Sequence, residues 1–160
     1  MSARHLTSIC LLLCTTAISL ATVAQDTPAI ALDMHQAASG NFYVHATMAG
    51  AVETDLLLDT GSGYVSLSKA TFDRISATSS PRFSRHIFGT MANGKVQKVA
   101  MYYLDELALS PECVLRDIEV AVFPRADRDI LGLNALARLQ PFTLELAPAR
   151  LTSSHCAAQG

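Results

Sequence analysis

The chain has 160 residues, 50% of them hydrophobic and 16% charged, with a formal net charge of −2 and no tryptophan. Those values exclude a disordered polar tail, a collagen-like fibre and a basic nucleic-acid binder, and the length suits one globular domain. Nothing in the charge balance attracts phosphate or an anionic bilayer.

Residues 1–24 read as a secretory signal peptide. Arg4 and His5 precede a mostly apolar stretch, Ile9–Val23, and Thr22 and Ala24 stand at the small-residue spacing of a signal-peptidase site. The stretch is short for a membrane span, which needs about 20 apolar residues, although an uncleaved anchor is the alternative. The residues before Cys10 and Cys14 are Ile9 and Leu13, too large for a lipoprotein processing site. The expectation is an exported protein, periplasmic or secreted, with no stable membrane span after cleavage.

Residues 25–40 read as a partly extended, partly loose N-terminal arm, residues 41–152 as the folded domain, and residues 153–160 as a C-terminal tail. From Asn41, Phe42, Val44, Ala46 and Met48 alternate with polar or aromatic neighbours, which predicts a half-buried strand. A turn at Ala49-Gly50-Ala51 leads into a second strand, Val52–Leu58. Its terminal triplet, Leu56-Leu57-Leu58, predicts burial on both faces. After Tyr64–Leu67, Ser68 is placed to cap a short helix through Ile75, with Phe72 and Ile75 inward. Ser76–Arg85 reads as a polar connector. Two strands follow, His86–Met91 and Lys95–Leu109, joined at Asn93-Gly94, a pair suited to a two-residue type I′ turn. Ser110-Pro111-Glu112 turns the chain into the β-branched run Val114–Phe123. Pro124–Asp129 reads as a charged loop, and within it Asp127 and Asp129 as a solvated turn rather than a cation loop. Ile130-Leu131-Gly132 forms a short buried strand, Asn134–Leu139 one or two helical turns, and Phe142–Leu146 a closing strand. The fold class is mostly β in a single domain, with one or two short helices.

Cleavage after Ala24 leaves two cysteines, Cys113 and Cys156, which form one disulfide or remain two thiols; a disulfide would contribute about 2–4 kcal/mol. His35, His45, His86 and His155 are scattered without ligand spacing, so no metal and no cofactor is expected. There is no G-x-S-x-G elbow, no H-E-x-x-H helix, and no cysteine–histidine arrangement that marks a thiol nucleophile.

Asp59 is the residue that asks for a chemical reason. A carboxylate that directly follows three leucines is costly unless something stabilises it. Thr60 and Gly61 can do so, since glycine permits a tight turn and adjacent N–H and hydroxyl groups can bond the carboxylate. An Asx-type turn is the plain alternative. The stretch Leu56–Ser62 (LLLDTGS) resembles the active-site strand and loop of retropepsin-type aspartic proteases. About 70 residues further on, Asp129–Leu146 (DILGLNALARLQPFTLEL) resembles that family's second signature, and the Asn93-Gly94 hairpin falls where the family carries its flap. The resemblance spans Asn41 to Leu151 and is nearest to small bacterial members made with a signal peptide. It implies the single-domain retropepsin-like acid protease fold, a closed β-barrel-like sheet with a flap hairpin.

By this resemblance Asp59 is catalytic and Thr60 braces the loop across a two-fold axis. Gly61 lets substrate backbone approach, and Ser62 stands where pepsin-like members have a hydroxyl that bonds the catalytic carboxyl. Met91, Ala92, Asn93 and Gly94 would form the flap, and Ile130, Leu131 and Gly132 the support beneath the loop. Tyr64, Ile87, Met91 and Phe123 would shape the pockets. Two features depart from retroviral members: Gly63 and Leu133 stand where those carry a paired acid and arginine, and the flap holds less glycine. Acid–base hydrolysis of a peptide needs two carboxyl groups sharing a proton, and the chain offers one such aspartate. The expectation is therefore a homodimeric aspartic endopeptidase acting on peptide or protein substrates, with Asp59 from each chain. A non-catalytic peptide-binding module on the same fold is the alternative.

Overall fold

The computed structural model describes residues 29–91 and 94–156. The signal segment, residues 1–24, lies outside the described residues, as do Ala92 and Asn93 of the flap and the tail beyond Cys156. Among the described residues no helix is long and apolar enough to cross a membrane.

Among the described residues, ten strands and two short helices follow in chain order: β1 Ile30–Gln36, β2 Phe42–Met48, β3 Val52–Leu58, β4 Val65–Ser68, α1 Lys69–Thr78, β5 Arg82–Thr90, β6 Val96–Ser110, β7 Cys113–Phe123, β8 Asp129–Leu131, α2 Leu133–Leu136, β9 Phe142–Leu146 and β10 Ala149–Ser153, with a 3-10 turn at Ala137–Leu139. The strand order is β5-β6-β7-β4-β8-β3-β2-β1-β10-β9, and a further pairing of β6 with β2 closes the segment from β6 to β2 into a barrel. This is the mostly β, closed sheet that the resemblance implies.

The period-two pattern of β2 works as the alternation demands: Val44, Ala46 and Met48 are buried, whereas His45 is exposed. The β2–β3 hairpin turns at Ala49 and Gly50, with φ of +50° and +70°, and closes through the Ala51 N–H to the Met48 carbonyl at 3.1 Å. Positive φ at both central residues is the type I′ geometry. At the end of the β5–β6 hairpin, Met91 N–H donates to the Lys95 carbonyl and Gly94 N–H to the Met91 carbonyl, both at 2.8 Å; the expected Asn93-Gly94 turn includes Asn93 and so lies outside the described residues. Gly94 takes φ +77°, a left-handed value that glycine adopts without strain.

In β3 only Val52 and Leu56 are fully buried, while Leu57 and Leu58 are half-buried. The leucine triplet therefore reflects a strand paired on both edges, with β2 and β8, rather than one covered on both faces. Ser68 caps α1 as expected, its hydroxyl accepting from the Thr71 N–H at 3.2 Å, and Ile75 is buried. The polar connector is shorter than the sequence implies, because β5 starts at Arg82. Its Arg82 and Phe83 pair with Tyr103 and Tyr102.

The first and last described segments are also more regular than the local pattern implies. The extended part of residues 25–40 is β1, which pairs with β10 through Ile30–Asp33 and with β2 through Met34–Gln36. β10, which the sequence reading had no strand for, buries Leu151 and lies between β1 and β9. A disulfide joins Cys113 at the start of β7 to Cys156 beyond β10, with Cα atoms 5.1 Å apart and both residues buried. The core gathers Leu32, Met48, Leu56, Leu67, Leu107 and Leu136, among others, at about 2 kcal/mol for each buried leucine.

Asp129 is not part of a solvated turn. It is 4% exposed; its Oδ1 accepts from the Ser68 N–H at 2.7 Å, and its Oδ2 from the hydroxyls of Thr54 at 2.7 Å and Thr71 at 2.6 Å. One carboxylate thus ties β8 to β3, to the end of β4 and to the first turn of α1. Asp127 stays on the surface, where its hydrogen bond to the Arg128 guanidinium, with its own backbone and the arginine's charge adding to it, holds its carboxyl below the usual range. Replacing Asp129 by Ala strands three donors. The variant should lose about 3 kcal/mol of unfolding free energy in a denaturant titration, whereas Asp127→Ala should leave the transition where it is.

Candidate active site

The candidate site forms where β3 ends. β3 and β8 run parallel, with Leu57 beside Ile130 and Leu58 beside Leu131, and the Asp59 N–H continues the ladder by donating to the Leu131 carbonyl at 3.2 Å. The chain then leaves the sheet: the Ser62 N–H returns to the Asp59 carbonyl at 3.3 Å, and the Gly61 N–H donates to Asp59 Oδ1 at 2.8 Å. The loop backbone thereby supplies the carboxylate with a donor, while Asp59 remains half-buried and Thr60 and Gly61 are exposed.

The start of α2 holds this loop from below. Leu133 N–H donates to the Ser62 carbonyl at 2.8 Å and Asn134 N–H to the Gly63 carbonyl at 3.1 Å. The Asn134 side chain extends the connection in two directions. Its Oδ1 accepts from the Val65 N–H at 2.7 Å, and its Nδ2 donates to the Glu119 carbonyl at 2.7 Å. Gly132 lies between these bonds. A β-carbon built on it would stand 2.9 Å from the Ser62 carbonyl oxygen and overlap the Tyr64 carbonyl outright. The requirement is space, since the backbone there is extended, with φ −95° and ψ −178°.

The structure therefore brings together Asp59, Thr60, Gly61 and Ser62 with Ile130, Leu131 and Gly132. Ser62 differs in detail from the hydroxyl that the resemblance implies: its Oγ donates to the Tyr64 carbonyl at 2.9 Å, not to Asp59, and Ser66 Oγ donates to the same oxygen at 3.2 Å. Met91 and Gly94 lie at the far end of the β5–β6 hairpin, bonded to each other and to Lys95. Tyr64, Ile87 and Phe123 pack on a small apolar cluster of Val99, Met101 and Ala121, distinct from the main core. A recess between the β2–β3 turn, the residues after α1 and the middle of β6 is lined by none of these residues.

Asn134 and Asp129 were missed as parts of the site's support. The signal for Asn134 was one polar residue inside the apolar run Ile130–Leu136, which periodicity alone assigns to a helix surface. Among the described residues, no cluster of histidine, cysteine and carboxylate side chains suits a metal ion.

The sequence profile of the family described as gag-polyprotein putative aspartyl protease matches residues 44–138. No curated protein matches the chain. Among solved structures, the chain is similar to a retropepsin-like aspartic protease from Rickettsia conorii, with 20% identity over 79% of this chain and 88% of that one and a TM-score of 0.55. It also matches the EIAV protease complexed with the inhibitor HBY-793, with 19% identity over 59% of this chain and 84% of that one and a TM-score of 0.44. The Rickettsia likeness establishes the retropepsin-like fold.

If the space above Gly132 sets the loop, Gly132→Ala must displace either α2 or the Tyr64 backbone. Unfolding titrations should show a loss of about 3 kcal/mol or more, at the upper end for an added methyl group. A variant as stable as the parent would show that the crossing tolerates a β-carbon.

Proposed function

The chain belongs to the gag-polyprotein putative aspartyl protease family, and from that premise we propose that it is an aspartic endopeptidase whose catalytic carboxyl is Asp59. The observation that carries this reading is the Asp59 loop itself. A half-buried carboxylate stands at the end of a core strand, with one oxygen held by the Gly61 N–H and the loop fixed from beneath by Leu133 and Asn134. A surface turn would not need that support.

Peptide hydrolysis at such a site proceeds by attack of water on the scissile carbonyl. One carboxylate takes a proton from the water while a protonated carboxyl donates to the carbonyl oxygen, without a covalent intermediate. One chain supplies half of this. The other aspartate nearby in the fold, Asp129, is committed to three donors in the interior and cannot be the partner. The second carboxyl is then Asp59 of another copy, in a two-fold homodimer with one site on its axis. Thr60, exposed beside Asp59, is free to brace the two loops across that axis. The outer edge of β9 supports the same reading. Among the described residues it ends the sheet, it carries exposed Leu144 and Leu146, and an edge of this kind suits pairing with a second chain. The peptide would lie extended between the loop and the β5–β6 hairpin, whose Met91–Gly94 end acts as the flap. Export belongs to the same proposal, and the Cys113–Cys156 disulfide suits an oxidising compartment.

Because the dyad works with one shared proton, cleavage of a mixed peptide library should be fastest on the acid side of neutrality. Asp59→Asn should lower the rate by about 10²–10⁴-fold while the sedimentation of the dimer stays unchanged. Equal cleavage by the variant would remove Asp59 from the mechanism. A protein that binds peptides as a monomer and cuts none would be a peptide-binding module instead.

A further inference from the structure

Gly63 and Leu133 leave the rim of the Asp59 loop without charge, yet an ion pair stands close by, built from residues outside both motifs. In the β5–β6–β7 sheet, Arg85 lies opposite Met101 and Met101 opposite Ala121, so these side chains share one side of the sheet with Glu119, two residues before Ala121. That is the side on which Tyr64 packs. A register shift between Phe83 and Arg85 turns two consecutive residues toward Glu119. Arg85 Nη2 donates to Oε2 at 2.7 Å, its Nη1 is ion-paired with Oε1 at 2.6 Å, and Ser84 Oγ donates to Oε1 at 2.7 Å. Arg85 Nη2 also reaches the Tyr64 hydroxyl at 3.3 Å.

Exposed ion pairs between long side chains contribute little, but this one is a two-pronged guanidinium–carboxylate pair on a carboxylate that is only 12% exposed. Burial works against the Arg85 cation, yet the Glu119 charge and the Tyr64 hydroxyl outweigh it and hold its pKa above the ordinary arginine value. The backbone of Glu119 matters as well, since its carbonyl accepts from Asn134, which in turn holds the Val65 N–H. Tyr64 is therefore fixed at both ends. Its carbonyl is held by Ser62 and Ser66 against Gly132, and its phenol by a residue at the root of the hairpin.

We propose that Arg85 and Glu119 are positioning residues for peptide binding, which set Tyr64 and the root of the β5–β6 hairpin relative to the Asp59 loop before a peptide arrives. They act through Tyr64, which packs with Ile87 and Phe123 on the cluster of Val99, Met101 and Ala121. The pair carries no net charge, so it holds the wall without drawing a charged residue into the cleft. This proposal rests on the protease reading for its kinetic consequence, but its structural consequence stands apart from it.

The test compares the full-length protein with Tyr64→Phe, Arg85→Met, Arg85→Lys and the double variant Tyr64→Phe/Arg85→Met. The readouts are steady-state cleavage of one peptide and amide hydrogen exchange without peptide. Tyr64→Phe removes one hydroxyl and alters no atom of β5. Each of Tyr64→Phe and Arg85→Met should raise KM about three- to tenfold with kcat within twofold. The double variant should be no worse than Arg85→Met, because both remove one connection. Arg85→Lys should restore part of the KM. Residues 84–88 should exchange at least threefold faster in Tyr64→Phe. Unchanged KM, or effects that multiply in the double variant, would overturn the proposal. If the parent protein cleaves nothing, the protease reading fails and the exchange measurement alone decides: unchanged exchange over residues 84–88 in Tyr64→Phe also overturns the brace.

Discussion

The backbone of Gly132 passes so close under the carbonyls of Ser62 and Tyr64 that there is no room for a β-carbon. From that crossing the rest of the site follows. It lets the first N–H groups of α2 reach the loop carbonyls, brings β8 alongside β3 in parallel register, and so puts Leu131 where it receives the Asp59 N–H. Two segments remote in sequence are thereby joined by backbone bonds, which do not depend on side-chain rotamers. A carboxylate built on such a frame keeps its direction without a rigid side-chain environment of its own.

Around the crossing, polar residues do in the interior what leucines do in the core. Asp129 gathers the end of β4, the first turn of α1 and β3 onto one carboxylate, and Asn134 ties the exit of the loop to β7. Each is satisfied by donors or acceptors from elements far apart in sequence, which is the condition under which a buried polar group specifies an arrangement instead of only costing stability. The apolar core would accept several packings of its leucines; these bonds accept one.

The elements that sequence made legible are those whose signal is local. β2 announces itself by period-two alternation, the cap of α1 by Ser68, and the site loop by an aspartate at an energetically costly place after Leu56-Leu57-Leu58. The elements that it hid depend on remote partners. β1 has two buried apolar residues, Leu32 and Met34, and β10 has one, Leu151; each is a strand because it has the other as a neighbour. Asp129 sits in a charged run that reads as solvated, and only donors at positions 54, 68 and 71 reveal it as interior. Turn geometry can also arise without its usual residues: positive φ at both central positions occurs at Ala49-Gly50, where the strands that must be joined impose it on an alanine. The pairing of Cys113 with Cys156 was one of two open readings, because spacing permits a bridge without requiring one.

The pairing of β1 with β10 has a kinetic side. Ile30 lies opposite Ser153, so the strand that leads into the barrel and the strand that carries the open edge of β9 cannot be placed until almost the whole domain is available. Contacts between such distant positions carry a large loop-closure entropy and form late in folding. A growing chain can therefore build the β2–β3 hairpin and α1 well before the strands of the outer edge exist. The topology thus leaves the outermost pair, β9 and β10, to the end of assembly.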